Sequence, residues 1–252
     1  MVTRLIVAGD SNSFGAEAIG DFSYSETNHS FAFGAYVAKH YNLQYKNIAK
    51  NGASNIDIAN NVLNEAEKNT DSSTFFLIGW TEAYRLALNN NNFHINKGGA
   101  TAYFLNKKIS NDSITQNYSN RLKKFDPLKE FVRIYLGDLI NTNELLLSSI
   151  LPMLAVDLFL RQNNIPYLAF CTLELDFPKK LLFYKELFSK RNNIFHNDRV
   201  KVFNSDHYFN YIDIFKKHGC MRGGHHLDAK AHKACGEWLV QQIKEREILI
   251  AS

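Results

Sequence analysis

At 252 residues, 45% hydrophobic and 21% charged, the chain is long enough to bury a full core without disulfides or metal, and global disorder is excluded. A net charge of +4 is only mildly basic, with short clusters such as Arg121-Leu122-Lys123-Lys124 and Lys190-Arg191, so no nucleic-acid partner is expected. Three cysteines (Cys171, Cys220, Cys235) in an odd count without framework spacing argue against a disulfide scaffold, and no run approaches the roughly 18 apolar residues of a membrane span.

The chain runs from Met1 through Arg4 into Leu5 to Ala8, an apolar stretch too short for the core of a signal peptide, so a cytoplasmic chain without export is expected. That stretch, ended by Gly9-Asp10-Ser11-Asn12, reads as a buried parallel strand running into a polar turn. A helix is predicted from about His29 to His40 and a strand from Gln44 to Ile48. After Asn51-Gly52-Ala53-Ser54, a helix capped by Ser54 or Asn55 carries Ile58, Ala59, Val62, Leu63 and Ala66 on one face. Thr74 to Ile78 is a third buried strand, stopped by Gly79.

From about Asn89 to Tyr118 no period is sustained, and the stretch reads as an inserted loop region whose aromatics Phe93, Tyr103 and Phe104 suit a lid. A long helix from about Asn143 to Arg161, kinked at Pro152, leads to a strand from Pro166 to Cys171. A short helix between Leu181 and Ser189 and a strand from Val200 to Phe203 follow. The last helix, capped by Asp228, places Ala231, Ala234, Cys235, Trp238 and Leu239 on one face. Strands alternating with helices predict one domain over 1–252, a three-layer α/β/α sandwich on a mostly parallel sheet.

In such sheets ligands bind beyond the carboxyl ends of the strands, where Gly9 to Asn12, Asn51 to Asn55 and Gly79 to Glu82 should gather. Gly223-Gly224-His225-His226, just before the last helix, joins them as the source of an imidazole. These four segments, in this order, resemble the blocks of the SGNH (GDSL-type) hydrolases. Gly9-Asp10-Ser11-Asn12 is similar to the first block, which makes Ser11 the nucleophile. Asn51-Gly52-Ala53-Ser54-Asn55 resembles the second, in which the glycine amide helps form the oxyanion hole. In Gly79-Trp80-Thr81-Glu82, Thr81 stands where the family carries an oxyanion-hole asparagine. In the last block His226 takes the place of the base, with His232 six residues on, and Gly223 stands where the family has its aspartate.

The resemblance implies acyl transfer from an ester, with O-acylated carbohydrate among the substrates. Ser11 attacks, His226 takes the proton, and Ser11, Gly52 and Thr81 line the oxyanion hole. Asp10, Asn12, Asn55, Trp80, Arg85 and His225 surround the site as binding candidates. Several residues have a plainer reading: Asp10 holds its loop through backbone amides, Gly52 supplies a positive φ, Trp80 packs, Arg85 is surface charge, His225 is a rim or packing histidine, and His232 packs or caps locally. The departures at Thr81 and Gly223 motivate an alternative, a catalytically inactive binding or structural module with a protein assembly partner, as in a tailed-bacteriophage virion. No cofactor is expected, because Gly9 to Gly15 lacks dinucleotide-binding spacing. His218, Cys220, His225, His226, His232 and Cys235 concentrate ligating atoms without a zinc-site spacing, so no metal is expected either.

Overall fold

The computed structural model describes residues 1–16, 18–19, 26–69, 73–81, 86–88, 93–95, 142–171 and 227–249. Strands β1 (Arg4–Gly9), β2 (Gln44–Asn47), β3 (Thr74–Trp80) and β6 (Tyr167–Cys171) form one parallel sheet in the order β2-β1-β3-β6. Two short strands, β4 (Leu86–Leu88) and β5 (Phe93–Ile95), pair antiparallel beside it in sequence. The helices are α1 (Ser11–Phe14), α2 (Glu26–His29), α3 (Phe33–Tyr41), α4 (Asn55–Ala66), α5 (Thr142–Gln162) and α6 (Ala229–Glu245).

Alternation along the strands sorts the core into two layers. Ile6, Ala8, Phe76, Ile78, Trp80, Tyr167 and Ala169 pack against α4 and α5, while Leu5, Val7, Phe75, Leu77, Leu168 and Phe170 pack against α3 and α6. The predicted sandwich is therefore present, because both sheet faces are apolar and each must be covered by a helical pair. On α4 the buried residues Ile58, Ala59, Val62 and Ala66 recur at helical spacing; filling one such position is worth roughly 1.5–3 kcal/mol. The start of α4 is fixed by a capping box, in which Asp57 donates its amide to Ser54 Oγ and Ser54 donates its own to Asp57 Oδ2 at 2.9 Å. Asp228 caps α6 by accepting from the Ala231 amide at 2.9 Å.

Three local expectations change. The helix predicted from His29 begins at Phe33, because α2 closes in a turn in which Ser30 Oγ donates to the Thr27 carbonyl at 2.7 Å, and Ala32 is extended. Ala32 has no side chain to cap α3, so the Phe33 amide donates instead to His232 Nδ1 on α6, 199 residues away, at 3.3 Å. His232 therefore packs and caps, though on a distant helix rather than locally. The region read as an inserted loop from Asn89 contains the β5 half of a hairpin. Third, the polar turn after β1 is one helical turn, α1. Helix α5 runs through Pro152. The helix predicted at 181–189 and the strand at 200–203 lie outside the described residues.

Candidate functional site

Parallel pairing puts every strand's carboxyl end on one edge, and register does the rest. Gly9 of β1 lies beside Gly79 of β3, and Lys50 donates its amide to the Gly9 carbonyl at 3.0 Å. The segments after β1, β2 and β3 are thereby drawn together. Gly9 has φ +156, and a Cβ there would lie 2.5 Å from Ser13 Cβ and 2.8 Å from the Gly79 carbonyl oxygen, so only glycine permits this close approach. Gly52 turns the second segment with φ +68, the positive value its plainer reading required.

Asp10 is fully buried and caps α1. Its Oδ1 accepts from the Asn12 amide at 3.0 Å and its Oδ2 from Thr81 Oγ1 at 3.1 Å. The cap thus takes the second amide of the helix. No acceptor among the described residues takes the first, that of Ser11. The Ser11 hydroxyl likewise makes no hydrogen bond among them, with the residue 9% exposed, and neither does the Gly52 amide. Ser11 is a buried residue, where backbone groups are paired more than nine times in ten, whereas Gly52 is half-buried and water can take its amide. Asn12 Oδ1, Ser13 Oγ and Asn51 Oδ1 are also buried without a partner.

Thr81 is fully buried at the end of β3 and clamped on both sides of its peptide unit. Its amide donates to Asn55 Oδ1 at 2.9 Å, and Asn55 Nδ2 donates to its carbonyl at 3.0 Å and to Ser149 Oγ on α5 at 2.6 Å. Asn55, a binding candidate in sequence, is therefore a strut between β3, α4 and α5. Trp80, another, is 1% exposed and packs in the core under α4 and α5. Its position in strand alternation with Phe76 and Ile78 dictates this face.

Two residues that sequence reasoning missed also brace the site. Asn47, at the end of β2, donates through Nδ2 to the Ser13 carbonyl at 3.0 Å and so supports α1; its place at a strand's carboxyl end was the only signal. Ser149 offered none. Arg85, Gly223, His225 and His226 lie outside the described residues, as do His218 and Cys220. The described chain resumes at Leu227, which is buried in the same core as Phe33 and Phe170. Among the described residues no three ligating side chains cluster, and no helix is long and apolar enough to cross a membrane. Burial pushes the Cys235 thiol and the Tyr45 phenol well above their usual ranges.

No protein-family model and no curated protein sequence matches the chain. Solved structures do. One is described as a lipolytic protein of the G-D-S-L family from Desulfitobacterium hafniense (12% identity, 95% of this chain and 98% of that one, TM-score 0.32). Another is an acetyl xylan esterase from Butyrivibrio proteoclasticus (11% identity, TM-score 0.46), of whose length this chain spans 65% and which covers 98% of this chain. A third is a carbohydrate esterase with divergent catalytic and non-catalytic binding functions (11% identity, 96% and 68% coverage, TM-score 0.39). At such scores the likenesses carry no argument about chemistry. The α/β/α class rests on strand order and layering in this chain itself.

Proposed function

We propose that the chain is an SGNH-like serine hydrolase that cleaves a small ester or an acyl group on a carbohydrate through Ser11 and His226. The observation that carries this reading is that the segments after β1 and β2 are drawn together at the sheet's carboxyl edge, with the Ser11 hydroxyl, the Ser11 amide and the Gly52 amide unpartnered among the described residues. In this mechanism Ser11 Oγ attacks the acyl carbon while His226 takes its proton. The two amides receive the charge that develops on the carbonyl oxygen, a contribution worth about a hundred-fold or more per donor. The tetrahedral adduct collapses as the alcohol leaves with the proton from the imidazolium. Water, deprotonated by His226, then releases the acid and regenerates Ser11.

The test is labelling by a fluorophosphonate together with turnover of p-nitrophenyl acetate. Ser11→Ala should abolish both with the melting temperature unchanged, and equal activity in variant and wild type would reject Ser11. A second reading, an inactive binding or assembly module, is favoured by Gly223 at the acid position and by the commitment of the Thr81 proton to Asp10. It predicts no labelling of Ser11 and no turnover on any ester.

A further inference from the structure

Thr81 stands at the position from which the family resemblance expects an oxyanion donor, yet its hydroxyl has one proton, and that proton goes to Asp10 Oδ2. Donation to a carboxylate is the stronger kind of hydrogen bond, and with both residues fully buried no water competes for it. A hydroxyl so committed cannot also donate to a substrate oxygen without giving up its bond to the carboxylate.

We infer that Thr81 is a positioning residue that acts on the nucleophile turn through Asp10, an inference that rests on the hydrolase reading above. Thr81 is held by Asn55, which is held by Ser149, so the hydroxyl is presented from a frame spanning β3, α4 and α5. Asp10, fixed at Oδ2 by Thr81, directs Oδ1 to the Asn12 amide. That bond closes α1 on its second amide, while the first, on Ser11, has no acceptor among the described residues. From Ser149 to Asp10 all four side chains belong to buried residues, so the relay has little freedom to rearrange. Its two ends are 139 residues apart in sequence (149 − 10), which is why no local motif reveals it.

The experiment is a double-mutant cycle on Thr81→Val and Asp10→Asn, read as kcat and KM on p-nitrophenyl acetate and as the rate of fluorophosphonate labelling at Ser11. Valine keeps the shape of threonine and removes the proton. Thr81→Val should lower kcat and the labelling rate about ten-fold or more with KM within about two-fold, since misplacing a reacting group costs rate rather than binding. Thr81→Ser should restore most of the loss. The double variant should be no slower than the worse single variant, because both changes break the same link. Multiplying effects would mean that Thr81 serves the oxyanion directly, and labelling of Thr81→Val at the wild-type rate would mean that it does nothing for the turn; either overturns the inference and leaves the hydrolase reading standing. A wild-type chain that neither labels nor turns over any ester overturns both. If Thr81→Val fails to fold, Thr81→Cys, of similar volume and weak donor strength, is read by the same criteria.

Discussion

Replacing Asn55 by alanine should unlock the end of β3. The carboxamide bonds both the amide and the carbonyl of Thr81, and it takes part in a third bond to Ser149 Oγ. The Ser149 hydroxyl can turn back to a carbonyl of its own helix, so two stranded groups remain, the amide and carbonyl of a fully buried residue. Each costs about 1–3 kcal/mol, and the middle of the summed range is about 4 kcal/mol. For a chain of 252 residues that corresponds to a fall in Tm of about 8–16 °C. Thermal and urea melts followed by circular dichroism give the answer, with Asn60→Ala on the exposed face of α4 as the control. A shift below about 3 °C would refute the reasoning and show that water replaces the carboxamide freely.

For the base, His226→Ala should abolish ester turnover while His225→Ala reduces it modestly; the reverse order in the same assay would show that the block alignment is displaced by one residue. If Ser11 and His226 work without an aspartate, Gly223→Asp should raise turnover in a protein of unchanged Tm, and no gain in such a stable variant would count against the dyad. His232→Asn keeps an acceptor near the place of Nδ1 and should melt within a few degrees of wild type, whereas His232→Leu strands the Phe33 amide and should lose about 1–3 kcal/mol in a urea titration. Cys235 is neutral in the fold far above the pH at which an unfolded thiol ionises. Its contribution to stability is therefore constant below about pH 8.5 and falls by about 1.4 kcal/mol per pH unit above it, as the unfolded state alone loses a proton. Cys235→Ala should flatten that alkaline slope between pH 9 and 10, and an unchanged slope would assign it to other groups.

Much of the framework was legible in the sequence because it is governed by short-range rules. The runs Leu5 to Ala8 and Thr74 to Ile78 had to be strands covered on both faces, and the spacing of Ile58, Ala59, Val62 and Ala66 had to be a helix face. Ser54 with Asp57 and Asp228 with Ala231 set helix starts through atoms three residues apart. The role of Asp10 in holding its own turn is of the same kind.

What only the tertiary structure decided depends on which strand lies beside which. The pairing of Gly9 with Gly79 brings Thr81 to Asp10, where its hydroxyl donates to the carboxylate. The contact of α3 with α6 supplies, from His232, the cap that Ala32 lacks at the start of α3. Asn55, a binding candidate from its place in the second block, is bonded to the amide and carbonyl of Thr81 and to Ser149, 94 residues further on. A hydroxyl or carboxamide has the same local signal whether it faces a ligand or a buried peptide group. The difference is made by the partner, and the partner arrives only when the parallel crossovers are complete.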